Sequence, residues 1–344
     1  PLFVNPNGQP DFTSMDLATI EIGNGLQPGT VVTYETTLPV GTTRNRLTPI
    51  LERESGLTAG EDFFVVFSPE RVLTGRVFAD LRRYPKLVGG IDPLSERKGV
   101  EFYEAVLDFD ARSDLPRPNG VWSLGTAEAA ELAKLAETTY RDVNIGLANQ
   151  FALHAEEVGV DIYQVIEACN SQPFSHIHQP GVAVGGHCIP VYPHLYLNGD
   201  PDASIVSAAR SANKAMPTHL VNRVELELGS LQDKKILVLG LAYRGGVKES
   251  AFSGTWDLVS IITSKGGIAL IHDPLYSDDE LRSLGLVPHK LGEHADAAIL
   301  HTNHAEYKSL GVLDLPGVQL IADGRNLISN ELKAEIKTYV LGQG

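Results

Sequence analysis

Thr30-Val-Val-Thr-Tyr-Glu-Thr36 passes directly into Thr37-Leu-Pro-Val-Gly-Thr-Thr43, and Phe63-Phe-Val-Val-Phe67 passes into Ser68-Pro-Glu-Arg71. In each, a continuous β-branched or aromatic run suits a strand buried on both faces, and a polar turn follows at its carboxyl end. Alternation of such runs with helical patterns predicts a parallel α/β sheet over residues 1–118. The turns after the strands fall where open α/β sheets bind ligands. Pro1 to Pro10 reads as a loop entering a helix near Ser14, so the chain looks like a fragment that starts inside a domain. Arg112 to Asn119, with two prolines, is the expected linker.

Residues 119–229 read as helical. Ala127 to Val158 contains no proline and only Gly146 as a breaker, with Leu132, Leu135, Val143, Leu147 and Phe151 on a helical period. Such a helix would be about 45 Å long, more than one globular helix needs. Its apolar surface predicts a homodimer, with this helix in the shared spine. Asp161 to Ala168 predicts a second helix with Cys169 near its end, a core position, and Ala203 to Leu228 a third. Residues 230–344 return to the α/β pattern, with strands expected at Lys234–Gly240, Gly267–Asp273, Ala297–Thr302 and Val318–Asp323. The fold class is therefore α/β, with two doubly wound domains joined by a central helical region. No G-x-G-x-x-G fingerprint occurs in the 344 residues, so no dinucleotide site is visible directly.

Composition narrows the function. A formal net charge of −15 argues against nucleic acid as a partner, and no run of about 18 apolar residues offers a membrane span. Two cysteines and no signal peptide argue against a disulfide scaffold and for a reducing cytoplasm. An anionic small molecule is the remaining class, held by a few local cations and helix N-termini.

Cys188 closes the glycine-rich run Gly181-Val-Ala-Val-Gly-Gly-His-Cys188, with Pro180 before it and Pro190 just after. Gly185 and Gly186 lack a Cβ, which lets a ligand or a second backbone segment approach closely. That is a setting for an exposed, reactive thiol. His176, His178, His187 and His194 surround it in sequence, but their spacing does not match the paired ligands of structural zinc, and no metal is expected. A cysteine hydrolase with His187 as base is disfavoured for want of an orienting acid.

Taken together, TTLPVGTT at Thr36, SPERVLTG at Ser68, AELAKLAETTYRDVNI at Ala130, GVAVGGHCIPVYP at Gly181 and VLGLAYRGGVKES at Val238 resemble the nucleotide-sugar 6-dehydrogenase family. The likeness is greater to its UDP-N-acetylmannosamine and UDP-N-acetylglucosamine branch than to its UDP-glucose branch. It implies two Rossmann-like domains, the first truncated, with roughly 80 to 90 residues of NAD domain expected before Pro1, and no turnover of NAD by the chain as it stands. It implies NAD as cofactor and a UDP-sugar as substrate, oxidised at C6 from alcohol to carboxylate in two hydride transfers. Cys188 would attack the C6 aldehyde, giving a thiohemiacetal and then a thioester. Lys134 would stabilise the oxyanion, and Glu70 would act as base on the thioester.

The same resemblance assigns Thr37, Glu70 and Lys248 to the cofactor. It assigns Arg71, Val72, Leu73, Lys134, Gly181, Gly185, Gly186, Asn213, Lys214, Tyr243 and Arg244 to the substrate. Two positions depart from the family pattern: Thr138 stands where an asparagine is usual, and Tyr192 where an aspartate is usual. Thr138 retains a hydrogen-bond donor, whereas a tyrosine is no carboxylate base near neutral pH. A module that binds UDP-sugar and dimerises without catalysis is the rival expectation.

Overall fold

The computed structural model describes every residue except Pro1, Pro6, Leu73, Thr74 and His187. Two compact units emerge, residues 1–139 with 191–203, and residues 140–190 with 204–344. The predicted regions 1–118, 119–229 and 230–344 are thus grouped differently by packing, because one long helix runs from the first unit into the second.

The first unit opens with a small antiparallel ribbon, β1 (Phe3–Val4) and β2 (Pro10–Asp11), and helix α1 (Thr13–Gly25). Then follow β3 (Val31–Tyr34), α2 (Thr48–Ser55), β4 (Phe64–Phe67), α3 (Val77–Arg83), β5 (Lys86–Gly90), α4 (Pro93–Val106) and β6 (Val121–Thr126). The sheet order is β3-β4-β5-β6. β3 and β4 are parallel, as expected, with Val31 opposite Phe64 and Tyr34 opposite Phe67. β5, however, runs antiparallel to β4, which corrects the all-parallel expectation. Residues 68–85, with one short helix among those described, return the chain beside β4 in the opposite sense. Buried Phe63, Val65 and Phe67 pack with Leu38, Leu47 and Leu51 and with Ala127, Ala130 and Leu135 of the following helix. Asp92 caps α4 by accepting from Leu94 N and Ser95 N, with Pro93 at the first helical position.

Helix α5 (Ala127–Val158) has the bounds that its apolar period predicts. After it come α6 (Ile162–Asn170), α7 (Tyr192–Gly199) and α8 (Ser204–Leu228). The second unit continues with β7 (Lys235–Leu239), α9 (Thr255–Ser264), β8 (Ile268–His272), α10 (Asp278–Ser283), β9 (Ala297–Leu300), β10 (Ile321–Asp323), α11 (Asn330–Glu335) and β11 (Thr338–Val340). These five strands form a wholly parallel sheet in the order β11-β10-β9-β7-β8. β9 is buried throughout and β7 buries Ile236 to Leu239, as a sheet covered by helices requires. Asp273, just past β8, accepts from Leu241 N, Ala242 N and Leu275 N and from His304 Nε2 at 3.1 Å. Burial opposes its charge, but these donors hold the carboxyl below its usual range. The acid after β8 is thereby spent on shaping the Gly240 turn. Among the described residues no helix is long and apolar enough to cross a membrane.

Candidate active site

In the first unit, α5 presents Glu131, Lys134, Glu137 and Thr138 at three- and four-residue spacings, which place them on one face. Glu131 is wholly buried. Its carboxylate accepts from Gly41 N at 2.5 Å, Thr43 N at 2.9 Å and Thr43 Oγ1 at 2.7 Å, tying the turn after β3 to the helix. Burial pushes the Glu131 carboxyl up, against the pull of these donors. Two turns along, Glu137 takes Arg71 Nε at 3.0 Å, which ties the turn after β4 to the same face. Lys134 lies between these anchors and is 8% exposed. Sequence reasoning missed Glu131, although an acid one helical turn before a catalytic candidate is a signal that it lies on the same face.

Thr138 is buried, and its hydroxyl donates back to Lys134 O at 3.0 Å and Leu135 O at 3.1 Å. The donor expected of it is engaged within the helix, leaving the oxygen as an acceptor. Arg71, expected at the substrate, spends its guanidinium on Glu137 and on Pro85 O at 3.2 Å. Glu70 accepts from Arg71 N at 2.6 Å and Val72 N at 3.1 Å, so Val72 contributes its backbone to holding that side chain. Its other oxygen lies 3.4 Å from Lys86 Nζ. Thr37 is buried just beyond β3. Leu73 lies outside the described residues. Tyr192 begins α7 and packs against the apolar core of the first unit, which explains an aromatic at that position.

Cys188 belongs to the second unit, where its thiol is free and exposed. The loop before it is set by close approach. A Cβ on Gly185 would lie 2.6 Å from Tyr243 Cβ and 3.0 Å from Phe252 O. Gly186 has φ +92°, and a Cβ there would meet the Tyr243 ring at 3.0 Å. Tyr243 is thus the wall on which the glycine run lies. Gly181 donates its N–H to Asn149 Oδ1 at 2.9 Å, and a Cβ there would lie 2.5 Å from Arg325 Nη1. Arg325 is partly buried, donates to His301 O at 2.6 Å and Ala183 O at 3.2 Å, and burial pushes its pKa down to about 10. Sequence inspection passed over it.

Beside this loop lies a cavity of about 360 Å³, lined by Val184, Arg210, Asn213, Lys214, Trp256 and Asp257 among others. Asn213 is buried and committed: it donates to Asp142 O and Oδ1 at 3.0 and 2.8 Å and accepts from Asn149 at 2.9 Å. Lys214 faces Asp257, whose carboxyl burial pushes up while the lysine pulls it down. The cavity offers cations and an aromatic wall, which suits an anionic nucleotide derivative. Arg244 lies beside the Tyr243 ring, its guanidinium 5.9 Å from the ring centroid. Lys248 pairs with Glu280 at 2.5 Å, an interaction that holds the exposed Glu280 carboxyl down at about 2. Among the histidines, His176 and His178 lie in the loop after α6, His194 is on α7 and His187 is outside the described residues. Cys169 is on α6 and half-buried. Among the described residues no group of three His, Cys, Asp or Glu is placed to hold a metal.

A dinucleotide finds a partial fit. Glu70 and Thr37 follow the carboxyl ends of two adjacent parallel strands, where doubly wound sheets bind such ligands, while a glycine fingerprint for the pyrophosphate is not among the 344 residues. Three sequence models of the UDP-glucose/GDP-mannose dehydrogenase family match the chain in order: the NAD binding domain at residues 4–107, the central domain at 128–215 and the UDP binding domain at 237–330. The UDP-N-acetyl-D-mannosamine dehydrogenase of Pyrococcus horikoshii is 34% identical over 329 residues, covering 93% of this chain and 74% of the relative. That of Methanocaldococcus jannaschii is 31% identical, covering 97% and 75%. Among solved structures, the UDP-D-ManNAc dehydrogenase of P. horikoshii superposes with a TM-score of 0.85 at 30% identity, covering 99% of this chain and 79% of that one. A UDP-glucose dehydrogenase from Pyrobaculum islandicum shares the fold, with a TM-score of 0.85 at 24% identity over 99% of this chain and 78% of that one. Five ordered motifs, two α/β units and these likenesses agree: this chain belongs to the UDP-glucose/GDP-mannose dehydrogenase family, and NAD is the cofactor of its reaction.

Proposed function

We propose that the protein oxidises the C6 hydroxymethyl of a UDP-N-acetylhexosamine, UDP-N-acetylmannosamine first among them, to the carboxylate. The observation that carries this is the exposed, free Cys188 on a loop held against Tyr243 by glycines. NAD⁺, when bound, supplies the hydride acceptor for both oxidations, and water supplies the second carboxylate oxygen. Thr37 and Glu70 contribute to its site on the first unit, at the carboxyl ends of β3 and β4. The Cys188 thiolate adds to the C6 aldehyde, and Lys134 stabilises the alkoxide that forms. After the second oxidation Glu70 accepts a proton from the water that cleaves the C–S bond of the thioester, returning the thiol. Arg71 and Val72 set the Glu70 turn, while Lys214, Tyr243 and Arg244 bind the nucleotide-sugar and the buried Asn213 braces the wall behind Lys214 through Asp142 and Asn149.

NADH absorbance with a panel of UDP-sugars tests the reading. Two NADH per UDP-N-acetylmannosamine, lost by on the order of 10⁴-fold in Cys188→Ala, supports it. Turnover that does not depend on Cys188 overturns it, and preference for UDP-glucose moves the substrate to that branch. The engaged Thr138 hydroxyl favours a second reading, a UDP-sugar-binding module without turnover; tight calorimetric binding of UDP-sugar with no NADH formed selects it. We further infer a homodimer through α5, which exposes Leu132, Leu147 and Phe151 and borders an apolar groove with Ile205 and Ala208 of α8. Sedimentation as a monomer overturns that assignment. Two free thiols suit a reducing, cytoplasmic setting.

A further inference from the structure

The antiparallel return of β5 brings its first residue, Lys86, opposite the turn that follows β4. A parallel strand would have placed its first residue at the other edge of the sheet. Lys86 is only 6% exposed, and its ammonium lies 3.4 Å from Glu70 Oε2 and 3.2 Å from Glu35 Oε1. Its Nζ also sits 4.8 Å above the Tyr103 ring centroid, and the Tyr103 hydroxyl donates to Glu35. One buried cation therefore bridges carboxylates at the ends of two neighbouring strands. The remaining Glu70 oxygen is taken by the backbone N–H groups of Arg71 and Val72.

We propose that Lys86 is a positioning residue for Glu70, fixing its carboxylate in one orientation for the hydrolytic step; this rests on the role given to Glu70 above. Glu70 is 36% exposed, and a glutamate so placed samples several rotamers unless both oxygens are held. Glu35 and Glu70 also repel, and the shared ammonium removes that repulsion. Sequence inspection offers no hint of this, since Lys86 sits in an ordinary strand run, Pro85-Lys-Leu-Val-Gly-Gly90.

The test is a double-mutant cycle on Lys86→Met and Glu70→Gln, with Lys86→Arg as rescue, in the intact protein. Lys86→Met keeps the aliphatic stem on Tyr103 and should lower kcat between about ten- and a hundredfold with KM little changed. The double variant should be no slower than Glu70→Gln alone, and Lys86→Arg should recover most of kcat. Independently of turnover, amide exchange at Arg71 and Val72 should quicken in Lys86→Met while Phe64 to Phe67 stay protected. Additive effects, an unchanged kcat or unchanged exchange at both amides overturn the proposal. Full kcat in Glu70→Gln with quickened exchange in Lys86→Met overturns the base role of Glu70, and with it the catalytic meaning of the clamp, leaving Lys86 a structural lysine.

Discussion

The turns of the first unit and the cysteine loop of the second are held by opposite means. In the first, carboxylates reach out from α5: Glu131 grips Gly41 and Thr43, and Glu137 grips Arg71. In the second, missing side chains allow contact: Gly185 and Gly186 lie directly against Tyr243, and Gly181 against Arg325. Charge-held turns respond to protonation but have room for modest changes of volume. A loop held by close approach is indifferent to carboxylate titration and intolerant of one added methyl.

Acid separates the two units most strongly. His301 is fully buried in the second unit, and burial pushes its pKa from 6.5 down to about 3. The unfolded ring takes a proton near pH 6.5, so the stability tied to keeping His301 neutral is complete above that pH. It is lost as pH falls from about 6.5 towards about 3. By pH 5 the loss should be about 2 kcal/mol. Denaturant unfolding of the second unit at pH 7.5 and 5 checks this, and His301→Gln should flatten the difference. Glu131 has the opposite sign: its raised carboxyl means that its contribution is full below the unfolded value and is lost as pH rises through the folded one.

Comparable in size is Glu131→Ala, which strands two backbone N–H groups and a threonine hydroxyl and should cost about 2 kcal/mol. Urea unfolding should register it in the first unit and leave the second unchanged. Gly185→Ala should cost about 1 to 3 kcal/mol in the second unit, with the rate of Cys188 alkylation altered; an unchanged melting temperature and alkylation rate would show that Tyr243 yields freely. Smallest is Glu280→Gln. It releases the exposed Lys248, whose pair stabilises the fold above about pH 4.5 and fades as pH falls towards about 2. At neutral pH its melting temperature should match that of the parent, because exposed ion pairs contribute little.

How much of this was legible follows the range of the interactions. The bounds of α5 and the positions of β3, β4 and β7 to β10 followed from local periodicity, within a few residues at each end. Cys188 was legible because its glycines are adjacent in sequence. Lys134 and Glu70 were legible only through ordered motifs. The engaged hydroxyl of Thr138 was not, since a threonine on a helix donates to solvent or to its own backbone according to its surroundings. Tyr192 looked like a missing acid and proves to pack in a core.

The amino-acid sequence by itself determined the class of fold, the parallel second sheet, the long helix and the candidate nucleophile, because hydrophobic period and glycine placement act over a few residues. Only the tertiary structure decided that β5 runs antiparallel to β4 and so delivers Lys86 to Glu70. It alone showed that Glu131 and Glu137 pin two distant turns to one helix face. It also showed Tyr243 to be the surface on which the cysteine loop lies. These are contacts between segments tens of residues apart, fixed by how strands return and faces meet, and no local pattern encodes them.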